Sequence, residues 1–129
     1  MSKKIVIVGA LGYLGTELCK LYSGESWFHD IIAIDNRFVS KRVNQLINWN
    51  IKFHQGHILD KEFIKNFLSD ADIVHHLAGI TDVAYVKNES NADQDENIKK
   101  VAIEGTNNIL NTISQKCKII FPSTHVIYE

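Results

Sequence analysis

The sequence is poor in cysteine and proline and has no long apolar run. With two cysteines among 129 residues, Cys19 and Cys117, buried thiols are favoured over the disulfide framework of small secreted domains. No apolar run approaches the roughly 18–20 residues that span a bilayer, and the N-terminal apolar run is too short for a signal peptide. The 14 basic and 15 acidic residues leave no basic excess, which counts against a general nucleic-acid binder. These absences predict a cytoplasmic globular domain that binds neither membrane nor nucleic acid.

Clusters that could carry other chemistry are also scarce. The basic pairs Lys41-Arg42 and Lys99-Lys100 are predicted to lie on solvated helix faces. His54, His57 and the pair His75-His76 raise the question of a metal site. Residues three apart on a strand point to opposite faces, and no cysteine or acidic cluster completes a ligand set. The sequence therefore predicts no metal site.

Short apolar runs alternate with helical stretches along the chain. Strands are predicted at 5–8, 31–34, 51–55, 72–78 and 118–121, and helices at 13–22, 40–47, 60–68 and from 93 onward. Ser40 and Asp60 are the expected N-caps of two of these helices, and Asp93 with Glu96 forms a capping-box pattern. The inner face of the first helix is predicted to carry Leu14, Leu18 and Leu21. That of the last helix is predicted to carry Ile98, Val101, Ala102, Gly105, Ile109 and Ile113.

Strands separated by helices imply a parallel sheet with right-handed crossovers. The fold class is therefore predicted to be α/β, a Rossmann-type doubly wound sheet with strand order 3-2-1-4-5. Its ligand crevice should lie where the order reverses, between strands 1 and 4. A complete dinucleotide-binding domain continues for at least one more helix and strand. We therefore expect residues 1–129 to form the N-terminal portion of such a domain, truncated after the fifth strand.

A glycine-rich loop joins the first predicted strand to the first helix. Gly9 permits a tight turn, Gly12 lets the backbone approach a phosphate, and Gly15 allows the helix to pack closely on the sheet. The amides of Tyr13 and Leu14, at the positive end of the helix, would face a pyrophosphate. Because a strand precedes, a helix follows and an acidic residue ends the next strand, the loop predicts dinucleotide binding.

Asp35 ends the second predicted strand, twenty positions after Gly15. A carboxylate there can accept both hydroxyls of the adenosine ribose and would repel a 2′-phosphate, so NAD is favoured over NADP. Arg37 leaves NADP open as the less favoured cofactor, since a nearby arginine can accommodate that phosphate.

Five motifs in order resemble the extended short-chain dehydrogenase/reductase family of NAD-dependent nucleotide-sugar epimerases and dehydratases. They are Gly9-x-x-Gly12-x-x-Gly15, Asp35-Asn36, His76-Leu77-Ala78-Gly79, Gly105-Thr106-x-Asn108 and Ser123-Thr124-x-x-x-Tyr128. The resemblance implies that Asn36 joins Asp35 in the ribose site and that Leu77, Ala78 and Gly79 line the inner ribose and nicotinamide region. It also implies a catalytic hydroxyl on Thr124, a nucleotide-sugar substrate and a homodimer through the long fourth helix.

The chain departs from that family at several positions. His57-Ile58 stands where the family has an aspartate that reaches the adenine, followed by Ile or Leu. Both residues are still predicted to bind the cofactor, with His57 stacking on the adenine or donating a hydrogen bond to it. Ala102 replaces an asparagine. His125 and Val126 stand where dehydratases carry an acidic pair, which counts against dehydratase chemistry. The acid/base pair Tyr-x-x-x-Lys is absent from the 129 residues. Two main hypotheses remain open. The chain is the NAD-binding portion of an epimerase or reductase, or it is a non-catalytic dinucleotide-binding module, which is favoured for these 129 residues alone. A dehydratase or another extended short-chain dehydrogenase is the further alternative for the enzyme.

Overall fold

The computed structural model describes residues 2–78 and 92–122. The elements follow in this order: β1 Lys4–Val8, α1 Tyr13–Tyr22, a 3₁₀ turn Ser23–Glu25, β2 Asp30–Asp35, α2 Ser40–Asn48, β3 Lys52–Gln55, α3 Lys61–Leu68, β4 Ile73–His76, α4 Ala92–Lys100, a π-helical segment Val101–Gly105, α5 Thr106–Thr112 and β5 Lys118–Ile120. Within this part of the chain, no helix has the length and apolar character needed to cross a membrane.

The strands form one parallel sheet in the order β3-β2-β1-β4-β5, which confirms the predicted topology. Val8 at the end of β1 pairs with Ile34 of β2 on one side and with His76 of β4 on the other. Because the strands are parallel, their carboxyl ends share one edge of the sheet. The strand order reverses at β1, so the crevice between the ends of β1 and β4 lies on that edge.

Apolar side chains cover both faces of the sheet, which explains the continuous β-branched runs in β1 and β2. Val6 and Val8 of β1 point toward the cluster that holds α3, the π-helical segment and α5. Ile5 and Ile7 alternate with them and point toward α1 and α2. Helices on both faces of a parallel sheet are the doubly wound arrangement that the sequence predicts.

The inner face of α1 agrees with the prediction only in part. Leu18 is partly buried against the core, but Leu14 and Leu21 are exposed, and the buried residues of this helix are Gly15 and Cys19. The reason is the close approach of the helix to the strand-to-helix turn, since the small residues Gly15 and Cys19 face the sheet. Burial raises the pKa of the Cys19 thiol to about 12, and both Cys19 and the half-buried Cys117 are free thiols.

The two predicted N-caps have different outcomes. Asp60 caps α3 as expected, because its Oδ1 accepts a hydrogen bond from the Phe63 amide at 3.2 Å. The prediction for Ser40 is wrong, since the helix already includes Ser40 and its N-cap is Val39, which supplies no side-chain bond.

The long fourth helix of the prediction consists of α4, the π-helical segment Val101–Gly105 and α5, and we call these three together the fourth helix. The fourth helix begins at Ala92, so Asp93 lies inside it and is not its N-cap. Gly105 is buried, but Ala102 is exposed, contrary to the predicted inner face. A π turn contains more residues than an α turn and so changes which positions face the sheet. Regular helical spacing therefore places Ala102 on the wrong face.

Candidate functional site

The glycine-rich loop lies against the end of β4. Gly9 adopts φ +87°, a conformation that favours glycine. A Cβ at this position would lie 2.7 Å from the carbonyl carbon of Leu77 and 2.7 Å from the amide nitrogen of Ala78. The loop and the predicted inner-ribose segment are therefore in backbone contact, and the structure brings these two sequence motifs together at the crevice.

Gly15 has a packing role. A Cβ on this residue would overlap the carbonyl oxygen of Gly9 and lie 2.8 Å from Cα of Ala10. Rigid backbone atoms cannot yield to a methyl group at that distance. The structure thus explains Gly15 by close packing of α1 on the turn, as the sequence predicts.

Gly12 is different, because no contact within residues 2–78 and 92–122 requires glycine there. Its φ of −74° and ψ of 177° are ordinary extended values. A Cβ would meet only the Gly9 oxygen at 3.5 Å and Nη2 of Arg37 at 3.7 Å, which are normal van der Waals distances. Gly12 is also the N-cap of α1, a helix without a side-chain cap and without an acidic residue in its first turn. Within the described part of the chain, no side chain caps the first amides of α1, and those of Tyr13 and Leu14 are available to an external acceptor.

Asp35 connects the end of β2 to the glycine loop. Its buried carboxylate accepts hydrogen bonds from two backbone amides, Leu11 to Oδ2 at 2.9 Å and Arg37 to Oδ1 at 2.9 Å. The amides of Gly9 and Ala10 donate to the Ile34 carbonyl at 2.8 and 3.0 Å. These contacts hold the carboxylate and the loop in one rigid unit.

Two arginines complete this unit. The Arg37 guanidinium contacts the Asp35 carboxylate, with Nε 3.3 Å from Oδ1 and Nη2 3.5 Å from Oδ2. Nη1 of Arg42 donates to the carbonyl of Leu11. The interpretation of Lys41-Arg42 as a solvated pair is therefore wrong for Arg42, which is half-buried, while Lys41 is exposed. Because Arg42 lies 31 positions from Leu11 in the sequence, local patterns could not reveal this contact.

The segment after β3 borders the same edge of the sheet. The amide of Gly56 donates to the Asp35 carbonyl at 2.9 Å, and the exposed Asn36 accepts a bond from Gln55 through its own carbonyl. Nδ1 of His57 accepts from the Leu59 amide at 3.1 Å, which leaves the ring proton of the neutral imidazole on Nε2. Of the predicted residues, Asn36 directly follows Asp35, and His57 directly follows Gly56, whose amide is bonded to the Asp35 carbonyl.

Residues of the fourth helix that were not predicted as site residues hold this segment in place. Asn108 donates from Nδ2 to the Ile58 carbonyl at 2.9 Å. The Ile58 side chain is buried against Gly105, where a Cβ would lie 2.6 Å from Cγ1 of Ile58. The side chain of Ile58, one of the predicted cofactor-binding residues, therefore packs in the core against the fourth helix. The Gly-Thr-x-Asn motif was the signal for this role.

Thr106 from the same motif positions the end of β4. Its hydroxyl lies 2.9 Å from Nε2 of His76. The His76 ring is fully buried and packs on Phe121 at a centroid distance of 5.0 Å. Burial lowers the pKa of this imidazole. Among the described residues, Nδ1 of His76 has no hydrogen-bond partner.

His75 points to the other face of β4, where its Nε2 lies 2.7 Å from the Tyr22 hydroxyl. In the ranges 2–78 and 92–122, no three potential metal ligands come together. Gly79, predicted to line the nicotinamide region, and Thr124, predicted as the catalytic hydroxyl, lie outside the described residues.

Comparison with known proteins gives several matches. The model of the 3-beta hydroxysteroid dehydrogenase/isomerase family matches residues 6–128. A UDP-N-acetyl-alpha-D-glucosaminuronate decarboxylase of Bacillus cytotoxicus is 28% identical over 130 residues, covering 99% of this chain and 38% of that protein. A dTDP-D-glucose 4,6-dehydratase of Dictyostelium discoideum is 31% identical over 141 residues, covering 98% of this chain and 30% of that protein. The chain thus spans about a third of the length of these relatives.

A solved structure has the same fold. UDP-glucose-4-epimerase from Stenotrophomonas maltophila, with bound NAD and formylated UDP-arabinopyranose, superposes with a TM-score of 0.77 at 17% identity. The superposition covers 98% of this chain and 38% of the epimerase chain.

Proposed function

The chain belongs to the 3-beta hydroxysteroid dehydrogenase/isomerase family of extended short-chain dehydrogenases/reductases, and we propose that it is the NAD-binding portion of such an enzyme. The observation that carries this proposal is the geometry of Gly12. The fold does not need a glycine at that position, but a phosphate approaching the first amides of α1 does. The epimerase of the same fold contains NAD.

The residues at the crevice fit the parts of a dinucleotide. The amides of Tyr13 and Leu14, beside Gly12, are suited to the pyrophosphate. Asp35 provides a buried carboxylate for the adenosine ribose. Leu77 and Ala78 extend the site along the end of β4 toward the inner ribose. When bound, the nicotinamide ring donates or accepts a hydride, and the protein positions it.

For the whole enzyme of which this chain is the proposed NAD-binding portion, we propose hydride transfer at a sugar carbon of a nucleotide sugar, by an epimerase or a reductase. The two curated relatives described above are enzymes named for nucleotide-sugar substrates. In that enzyme Thr124 would hydrogen-bond the reacting hydroxyl. The 129 residues contain no Tyr-x-x-x-Lys, so we propose that they bind the dinucleotide without turning over a sugar substrate.

Calorimetric titration with NAD tests the proposal directly. We expect the chain to bind NAD and the Gly12→Ala variant to lose at least about tenfold in affinity, because the methyl group occupies the space of the phosphate. Thermal unfolding of the variant should stay near that of the parent, since the added Cβ meets nothing closer than 3.5 Å. Gly24→Ala is the matched control, because a Cβ there has no neighbour within 4 Å. If the parent does not bind NAD, or if Gly12→Ala binds it equally well, the proposal is wrong.

A further inference from the structure

We propose that Arg42 is a further part of the dinucleotide site and supplies a positive charge that strengthens binding of the pyrophosphate. This inference rests on the proposed dinucleotide binding, and it adds a side chain to the backbone amides at the start of α1. Arg42 lies in the first turn of α2, outside the glycine loop and outside the motifs that predict the site residues.

The first argument is the hydrogen bond that places Arg42 at the loop. Its Nη1 donates to the carbonyl of Leu11, whose own amide donates to Oδ2 of Asp35 at 2.9 Å. The Leu11 side chain is fully buried, so the carbonyl that Arg42 binds belongs to a fixed residue. The next residue is Gly12, beside which the phosphate is proposed to approach. The guanidinium is therefore held one residue away from the proposed position of the pyrophosphate.

The second argument is the charge of Arg42. This residue is half-buried, whereas the neighbouring Lys41 is exposed. Within residues 2–78 and 92–122 Arg42 forms no ion pair, and the nearby carboxylate of Asp35 is paired with Arg37. The carbonyl of Leu11 accepts a hydrogen bond from Arg42 but does not balance its charge. A partly desolvated guanidinium without a carboxylate partner favours an anion that comes from outside the chain.

The third argument is the position of Arg42 in its helix. α2 begins at Ser40, and its first turn contains no acidic residue. A cation in this turn opposes the helix dipole, which favours anions at this end. Since α1 and α2 follow the paired parallel strands β1 and β2, both helices begin at the carboxyl edge of the sheet. The positive ends of two helices and the Arg42 guanidinium thus lie at the edge where the pyrophosphate is proposed to bind.

Calorimetric titration of the 129-residue chain with NAD at several salt concentrations tests the inference. In Arg42→Met we expect the affinity for NAD to fall about tenfold, the loss expected for removing a charged partner of the phosphate. The salt dependence of binding should weaken as well, because one cation fewer lies close to the phosphates. A purely structural role of Arg42 would change the affinity without changing its salt dependence.

Lys41→Met is the matched control, because it removes the same charge from the exposed neighbouring residue. We expect it to change the affinity for NAD by less than about threefold, since water and salt screen an exposed charge. Arg42→Lys keeps the positive charge and should bind NAD within about threefold of the parent, with the same salt dependence. This variant keeps the test decisive if Arg42→Met folds poorly in thermal unfolding.

The outcomes separate the two proposals. If the parent binds NAD and Arg42→Met loses no more affinity than Lys41→Met, this inference is wrong and the proposed function stands. A loss with unchanged salt dependence, or an equal loss in Arg42→Lys and Arg42→Met, also overturns the inference, because the charge of Arg42 then does not strengthen binding. If the parent does not bind NAD, both proposals fail.

Discussion

At the scale of single residues, the three glycines of the loop differ in why glycine occupies each position. Gly9 is required by its positive φ and by the backbone of β4, and Gly15 by the approach of α1. Gly12 has neither reason. Substitutions of these glycines should therefore separate effects on folding from effects on binding. Of the three, only Gly12 can be replaced with little loss of stability.

We predict that Gly15→Ala lowers the free energy of unfolding by about 1–3 kcal/mol, the usual cost of overpacking a close contact. The added methyl group would meet the backbone of Gly9 and Ala10, which cannot move aside as a side chain can. Urea unfolding measures the change. Gly24→Ala should stay within about 0.5 kcal/mol of the parent, and an equally small effect for Gly15→Ala would contradict the packing argument.

The buried histidines predict acid sensitivity. Burial lowers the pKa of both His75 and His76 in the folded state. The unfolded chain therefore binds more protons below the ordinary histidine pKa of about 6.5, and stability falls as the pH decreases through that value. Each histidine can contribute at most about 1.4 kcal/mol per pH unit to this loss.

Urea unfolding at several pH values between 7.5 and 5 should reveal this slope. His76→Gln should reduce it, and His29→Gln, which changes a half-exposed ring near the start of β2, serves as the comparison. A free energy of unfolding that stays constant or rises as the pH falls would refute the prediction.

At the scale of elements, the fourth helix holds two parts of the site at once. The π-helical segment ends at Gly105, where the helix backbone packs closely against the Ile58 side chain. One turn later Asn108 holds the carbonyl of Ile58, and Thr106 holds the ring of His76. The helix thereby fixes both the segment after β3 and the end of β4, which border the crevice on opposite sides of β1.

We predict that Asn108→Ala destabilises the chain by about 1 kcal/mol, since it leaves the Ile58 carbonyl without its donor. NAD affinity should fall as well, because the segment carrying His57 loses its anchor. Asn107→Ala changes an exposed neighbour on the same helix and should alter stability by less than about 0.5 kcal/mol. Urea unfolding and NAD titration of both variants provide the measurement. Equal effects in the two variants would exclude a specific anchoring role.

At the scale of the whole molecule, the outer face of the same helix bears on the predicted homodimer. Ile103 and Leu110 are 60% and 49% exposed. We predict that the chain dimerises through this face, as the family resemblance implies. Sedimentation at several concentrations should show a dimer that Leu110→Lys dissociates, whereas Leu21→Lys, on the exposed side of α1, should not. A parent chain that is monomeric throughout would rule the prediction out.

A feature of the fold was predicted from the sequence when the residues that determine it lie close together along the chain. Runs of β-branched residues and the alternation of strands and helices predicted the five strands that the described residues form and their order. Predictions that relied on regular helical spacing were wrong where a close contact intervened, at Leu14 and Leu21 in α1 and at Ala102 in the π-helical segment. Propensity and periodicity describe a helix alone and do not include the surface on which it packs.

The sequence by itself determined the fold class and the loop Gly9–Gly15, because hydrophobic period and glycine spacing are local properties. Only the tertiary structure decided what surrounds that loop. The bonds of Leu11 to Asp35, of Arg42 to Leu11 and of Asn108 to Ile58 join residues 24, 31 and 50 positions apart. Side chains this distant meet only when the strands pair and the helices pack, and no local pattern encodes which carbonyl a distant side chain will reach.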